Sequence, residues 1–95
     1  MQIDQIVCPV HIEDKLATKH QVSTREARQL LLSNPRIRFA EKGDIEGEDV
    51  YGAFGQTLGG RYLAVFFVYK PISHTAIIIS ARDMSKKERK SYGRK

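Results

Sequence analysis

Apolar residues change their spacing once along this chain, near residue 35. Before that point they recur at helical intervals, and after it they alternate. Ile3 to Val7 is a short apolar stretch stopped by Pro9 and is predicted to be a strand. From His11 to Lys19, apolar Ile12 and Leu16 lie one turn apart with charges between them, which predicts a short helix. Ser23-Thr24-Arg25-Glu26 has capping-box spacing, in which a serine hydroxyl and a glutamate carboxylate satisfy each other's exposed backbone N–H groups. Ala27, Leu30 and Leu31 follow at i, i+3 and i+4 and predict a second helix. Asn34-Pro35 ends it, because proline disfavours helical geometry in the residue before it.

The period then becomes two. Arg36-Ile37-Arg38-Phe39-Ala40 alternates charged and apolar side chains, as a half-buried strand does. Glu41 to Asp49 carries five acids and two glycines and reads as a loop. Val50 to Gln56 is a strand weakened by Gly52 and Gly55. Leu58-Gly59-Gly60 supplies a turn, and Tyr62 to Tyr69, apolar on both faces, suits a central strand closed by Pro71. Thr75 to Ala81, with three consecutive isoleucines, is a fifth strand, and Ser85-Lys86-Lys87-Glu88 repeats the capping-box spacing ahead of a basic terminal helix. The order β-α-α-β-β-β-β-α, with short connections between the last four strands, predicts an α+β fold. In it an antiparallel β-meander carries two N-terminal helices and a short basic C-terminal helix.

A meander of strands 36–40, 50–56, 61–70 and 75–82 places Arg36, Arg38, Arg61 and Arg82 near one edge and the acidic 41–49 loop at the other. A four-residue 71–74 loop pairs Lys70 with Thr75, hence Leu63 with Arg82, and turns Arg61 and Arg82 to one face. Arginine's planar fork donates two parallel hydrogen bonds to anionic oxygens, so such a cluster beside Lys86 and Lys87 would form a phosphate groove. Tyr62, Tyr92 and Phe39 are candidate stacking surfaces for single-stranded RNA. The same arginines equally fit ion pairs that only solvate the rim.

Ninety-five residues suffice for one domain and are too few for two separate cores. With 41% hydrophobic and 28% charged residues the composition is that of a globular chain. The longest apolar run, Tyr62 to Tyr69, is far short of the ~20 residues that span a bilayer, and no basic-then-apolar leader precedes it, so no membrane partner is expected. The single cysteine, Cys8, has no internal partner and no Cys/His neighbour at metal spacing. It is expected to be a small buried apolar residue in a reducing cytoplasm, and neither a metal nor a cofactor is called for. The net charge of +5 sits at one end: Arg82 to Lys95 holds seven basic and two acidic residues, while residues 1–81 balance. That block suits a polyanion partner, or merely a solvated terminus.

Several pieces, in order and over nearly the whole chain, resemble one family. They are Lys19-His20-x-Val22 after a short helix, Gly47-Glu48 before a strand, Gly60-Arg61 opening the next, Ile78-Ile79-Ser80-Ala81-Arg82, and Lys86-Lys87-Glu88-Arg89-x-x-Tyr92. This set is similar to the BrnT family, small ribonuclease toxins of type II toxin–antitoxin systems. The resemblance implies a RelE/ParE-like fold over residues 1–95 and metal-independent RNA cleavage in the cytoplasm. The implied partner is a small DNA-binding, BrnA-like antitoxin joined to the toxin in a hetero-oligomer. Phosphate stabilisation is assigned to Arg61 and Arg82, the best-supported carry-over from the family, with His20 or Glu48 as the base that takes the ribose 2′-OH proton and Lys19 as a second phosphate contact; Lys86 and Lys87, with Arg36 and Arg38 from the meander's edge, are the further RNA contacts. His11 and His74 are weaker candidates. The chain departs from the family pattern at Cys8-Pro9, usually Trp-Asp, and at Gln21 and Ile77, where many members have glycine and arginine. A non-catalytic member that only binds antitoxin or nucleic acid is the alternative.

Overall fold

The structure, a computed structural model, describes residues 1–93. The elements follow the predicted order: β1 (Gln5–Val7), α1 (Val10–His20), α2 (Thr24–Leu32), β2 (Arg36–Glu41), β3 (Val50–Gln56), β4 (Tyr62–Lys70), β5 (Thr75–Asp83) and α3 (Lys86–Gly93). They build one five-stranded sheet of order β1-β5-β4-β3-β2.

The last four strands form the antiparallel meander, but the sheet as a whole is mixed. β1 pairs in parallel with β5, Gln5 opposite Thr75 and Val7 opposite Ile77. This corrects the purely antiparallel expectation. A three-residue strand carries too little alternation to reveal its neighbour, and its partner lies seventy residues downstream.

One face of the sheet is the core face. Leu16 of α1, Ala27, Leu30 and Leu31 of α2, and Leu63, Val65, Phe67 and Ile78 of the sheet are buried there together. Full burial of such a side chain contributes about 1.5–3 kcal/mol, so these contacts hold the two helices to the strands. Gly55 sets the spacing between α2 and β3. A Cβ there would come within 2.8 Å of the Leu30 Cδ1, so a side chain would force the buried Leu30 to shift.

Local signals define the helix ends. The α2 capping box forms in full, with the Ser23 hydroxyl accepting from the Glu26 N–H and the Glu26 carboxylate accepting from the Ser23 N–H. α1 ends at Gln21, whose φ of 51° lies in the left-handed region, while the Val22 N–H reaches back to the Leu16 carbonyl. Glycine suits that place because it pays no Cβ penalty there. The departure at Gln21 is therefore tolerated in a strained backbone position. No helix among the described residues is long and apolar enough to cross a membrane.

Candidate nucleic-acid interface

The meander brings the arginines to one end of the sheet, as expected, but not to one face. Lys70 pairs with Thr75, and the register continues to Phe67 opposite Ile78. A bulge then skips Ile79, so Phe66 pairs with Ser80, Ala64 with Arg82 and Leu63 with Asp83. Each step of one residue turns a side chain to the other face. Asp83 thus takes the core-face position expected for Arg82, and Arg82 turns to the opposite, open face beside Phe66. The shared face of Arg61 and Arg82 is corrected: the two arginines lie on opposite sides.

Arg61 is fully engaged on the helix side. Its Nε donates to Asp83 Oδ1 at 2.7 Å, Nη1 to the Gln21 carbonyl at 2.6 Å, and Nη2 to the His20 carbonyl at 2.9 Å. Nη1 also meets Glu26 at 3.3 Å. The guanidinium closes the C-terminal end of α1, where unpaired carbonyls and the negative end of the helix dipole favour a cation. It ties that end to the first turn of α2 and to the end of β5. The Asp83 carboxylate, then that of Glu26, holds the guanidinium in its charged form against partial burial, and Asp83 is in turn held below the usual carboxylate range chiefly by Arg61.

Arg82 is held by one carboxylate. Its Nη1 and Nη2 donate to Glu88 Oε1 at 2.7 Å and Oε2 at 3.0 Å, a two-pronged fork, while its Cζ lies 5.2 Å from the Phe66 ring centroid. Glu88 is also the third residue of the second predicted capping box, accepting from the Ser85 N–H at 2.8 Å while its own N–H donates to the Ser85 hydroxyl. The Arg82 fork first, and the Ser85 N–H after it, pull the Glu88 carboxyl down from 4.5 to about 2 against the opposing effect of burial.

This pair fixes α3 to the sheet, and α3 buries no residue of its own. Because the folded-state pKa of Glu88 is depressed, its stabilisation is complete above the unfolded value near 4.5 and is lost as pH falls toward 2. The full shift corresponds to about 3 kcal/mol, and solvent screening at the partly exposed Arg82 reduces it to about 1 kcal/mol or less. The protection factors of the α3 amides, exchange corrected for its intrinsic pH dependence, should therefore fall between pH 4.5 and 2 ahead of those of the core strands. Glu88→Gln should show the lower protection already at pH 7; equal protection of the two proteins at pH 7 would exclude this anchor.

Around Arg82 the open face collects a basic and aromatic surface. Arg36, Arg38, Phe54, Glu88, Ser91 and Tyr92 line a recess of about 100 Å³. That is well below the ~300 Å³ at which enclosed ligand pockets begin, so the face suits a strand lying across it rather than a buried ligand. Arg36 donates to the Ser91 carbonyl at 3.3 Å and sits 5.7 Å from the Tyr92 ring centroid. Arg38 is exposed and makes no ion pair among the described residues. Lys86 and Lys87 are exposed on α3, and Arg89 stacks 4.3 Å over the Tyr62 ring. Two basic residues of the terminal block, Arg94 and Lys95, lie outside the described residues.

The expected aromatic set divides. Tyr62 and Tyr92 meet edge-to-face on the open side, whereas Phe39 packs edge-to-face on Tyr51 on the core side. Phe54 and Phe66 take its place on the open face, edge-to-face at 6.2 Å. Their signal was the parity of Arg36, which pairs with Phe54, and of Arg38, which pairs with Gly52 opposite Phe66.

The remaining candidates lie elsewhere. Half-buried His20 and exposed Lys19 end α1, at the arginine-bearing end of the sheet but on its helix side. Glu48 stands at the opposite end, paired with Lys70 at 2.9 Å. His74 pairs with Asp4 at 3.0 Å beside β1, and His11 is exposed on α1. Cys8 packs against the core 3.9 Å from the Thr24 hydroxyl and is half-buried where a buried residue was expected. Among the described residues no three of His, Cys, Asp and Glu come together as ligands for a metal ion.

The mixed sheet with helices on one face and an arginine-rich, aromatic opposite face defines a small α+β protein with a basic, aromatic surface. The family model described as "Ribonuclease toxin, BrnT, of type II toxin-antitoxin system" matches residues 13–88, and the chain belongs to this family. It is thus a member of a family of ribonuclease toxins, whose target is RNA and whose partner is a protein antitoxin. A search among curated proteins finds no match.

Proposed function

We propose that residues 1–95 form one RelE/ParE-like toxin domain that cuts RNA in the cytoplasm without a metal ion, along the open face of the sheet. The observation that carries this reading is Arg38. Among the described residues it is exposed and makes no ion pair, and it lines a recess with Arg36 and one carboxylate, Glu88, the residue that holds Arg82. Glu88 holds the Arg82 fork as a phosphodiester would, with two oxygens on two nitrogens. A phosphate that displaces it meets a guanidinium already aimed and partly desolvated over Phe66.

In the proposed reaction the ribose 2′-oxygen attacks its own phosphorus and the bond to the 5′-oxygen breaks. A 2′,3′-cyclic phosphate and a 5′-hydroxyl result. For His20, on the helix side, to take the 2′-OH proton, the scissile phosphate must sit where the RNA rounds the end of the sheet, between His20 and Arg82; the leaving 5′-oxygen gains a proton from water. Arg82 offsets the negative charge that builds on the phosphate, and Arg36, Arg38, Lys86 and Lys87 track the flanking backbone. Lys19 contacts a further phosphate where the strand rounds the end of the sheet. The saturated hydrogen bonding of Arg61 supports a positioning role, holding the α1 terminus that carries His20.

The purified chain, incubated with single-stranded RNA in excess EDTA, is expected to yield fragments ending in 2′,3′-cyclic phosphate. RNA left intact at any enzyme concentration would overturn the reading. The ion pairing of both Arg61 and Arg82 favours one second reading, a catalytically weakened member that binds a BrnA-like, DNA-binding antitoxin in a hetero-oligomer. Intact RNA together with a stable antitoxin complex selects it.

A further inference from the structure

The core face of the sheet is not fully covered by α1 and α2. At the end that carries the 41–49 loop, an aromatic row crosses three strands: Phe39 on Tyr51, and Tyr51 on Tyr69, each edge-to-face at 5.9 and 6.4 Å. Phe39 remains 58% exposed, Leu32 at the end of α2 68%, and Met1 56%. Two recesses flank Met1. Leu31, Leu32, Pro35 and Ile37 line one of about 270 Å³, and Tyr51, Tyr69, Pro71 and Asp49 line another of about 320 Å³. Met1, Leu32 and Phe39, three of the eight large apolar residues exposed among the described residues, thus share one surface with two recesses, and apolar groups gathered about recesses mark a binding surface.

The 41–49 segment at the rim of this surface is net acidic, five acids against one cation, Lys42. Glu41, Asp44 and Glu46 are exposed and make no ion pair among the described residues, in contrast to Glu48, which is held by Lys70. Such a field repels RNA and attracts a cation-bearing chain. Two neighbouring recesses that share Met1 suit two apolar anchors on one face of an amphipathic helix.

We propose that this surface is the docking site for a basic amphipathic helix of the protein antitoxin. Its apolar anchors fill the recesses on either side of Met1, and its Lys and Arg residues face Glu41, Asp44 and Glu46. The proposal rests on the family's protein partner and goes beyond it by naming the surface and the partner's chemistry. It also separates the two activities of the molecule: partner on the acidic, helix-side surface, RNA on the basic, open one.

The test is binding of the purified product of the adjacent antitoxin reading frame to the full chain, measured by calorimetry at several salt concentrations. The paired variant Leu32→Ser/Phe39→Ser is expected to weaken the complex at least ~10-fold. The charge reversal Glu41→Lys/Asp44→Lys/Glu46→Lys, confined to an exposed strand end and loop, should weaken it similarly and abolish its salt dependence. Arg38→Ala, on the other face, should leave the affinity unchanged. All the substituted groups are exposed, and circular dichroism confirms folding of each variant.

Wild-type affinity in both helix-side variants would overturn the docking site while leaving the antitoxin pairing intact. Absence of any wild-type complex would remove both. A dimer of the chain alone in light scattering, broken by Leu32→Ser/Phe39→Ser, would assign the surface to a second copy and overturn the proposal.

Discussion

Arg82→Ala is expected to lower the rate of RNA cleavage by about 100- to 1,000-fold, the typical cost of losing one preorganised donor to transition-state charge. The group is suited to this role because its fork is already shaped by a carboxylate that a phosphate can replace. Arg82→Lys keeps the charge but offers a compact ammonium in place of the planar fork, so most of the loss should persist. Melting temperature should change little beyond α3, since the Arg82–Glu88 pair is partly exposed and such pairs contribute about 0–1 kcal/mol of net stability. Arg38→Ala separates binding from chemistry. It should weaken RNA binding at every sequence and reduce the salt slope by about one, with the rate of bound RNA largely kept. Cleavage at wild-type rates by both Arg82→Ala and Arg38→Ala would move the RNA track off the open face.

Arg61→Ala is the second large effect, and its signature is different. The guanidinium, 27% exposed, satisfies two helix-terminal carbonyls and two carboxylates from three separate elements. Removing it leaves these acceptors facing one another at the end of the sheet. Charged hydrogen bonds of this kind are worth about 1.5–3 kcal/mol each before screening, and with Asp83 well exposed a total near 2–3 kcal/mol is expected. For a domain of this length that lowers the melting temperature by roughly 8–20 °C. Thermal unfolding of Arg61→Ala and Arg61→Lys checks it. A single ammonium cannot span acceptors on four residues, so lysine should rescue little. A melting temperature within a degree or two of wild type would show that the clamp is redundant. Activity alone would not distinguish a clamp from a catalytic group; a large loss of stability does.

Both predictions turn on an arrangement that two sequence motifs only half disclose. Each capping box, Ser23 to Glu26 and Ser85 to Glu88, is evident from its spacing, and each forms. Each arginine, 61 and 82, is evident as a cation at the end of a strand. What the motifs do not reveal is that the glutamate of each box also grips one of the arginines: Glu26 takes Arg61, and Glu88 takes Arg82. Capping spacing is a property of four consecutive residues. The grip depends on where the helix start is set against the sheet, across 35 residues in the first case and six in the second.

Local order along the chain determined most of the elements of this protein. Helical and alternating periodicity, two capping boxes, the Asn34-Pro35 stop and the 71–74 connection each act through neighbouring residues, and the chain obeys them, down to Lys70 opposite Thr75. Tertiary structure alone decided the rest. β1 found its parallel partner across the whole chain, and the bulge at Ile79 turned Arg82 away from Arg61. The physical reason is that strand parity is counted from the turn outward. A single residue accommodated by packing in mid-strand reverses every side chain beyond it without leaving a mark in the pattern of residues.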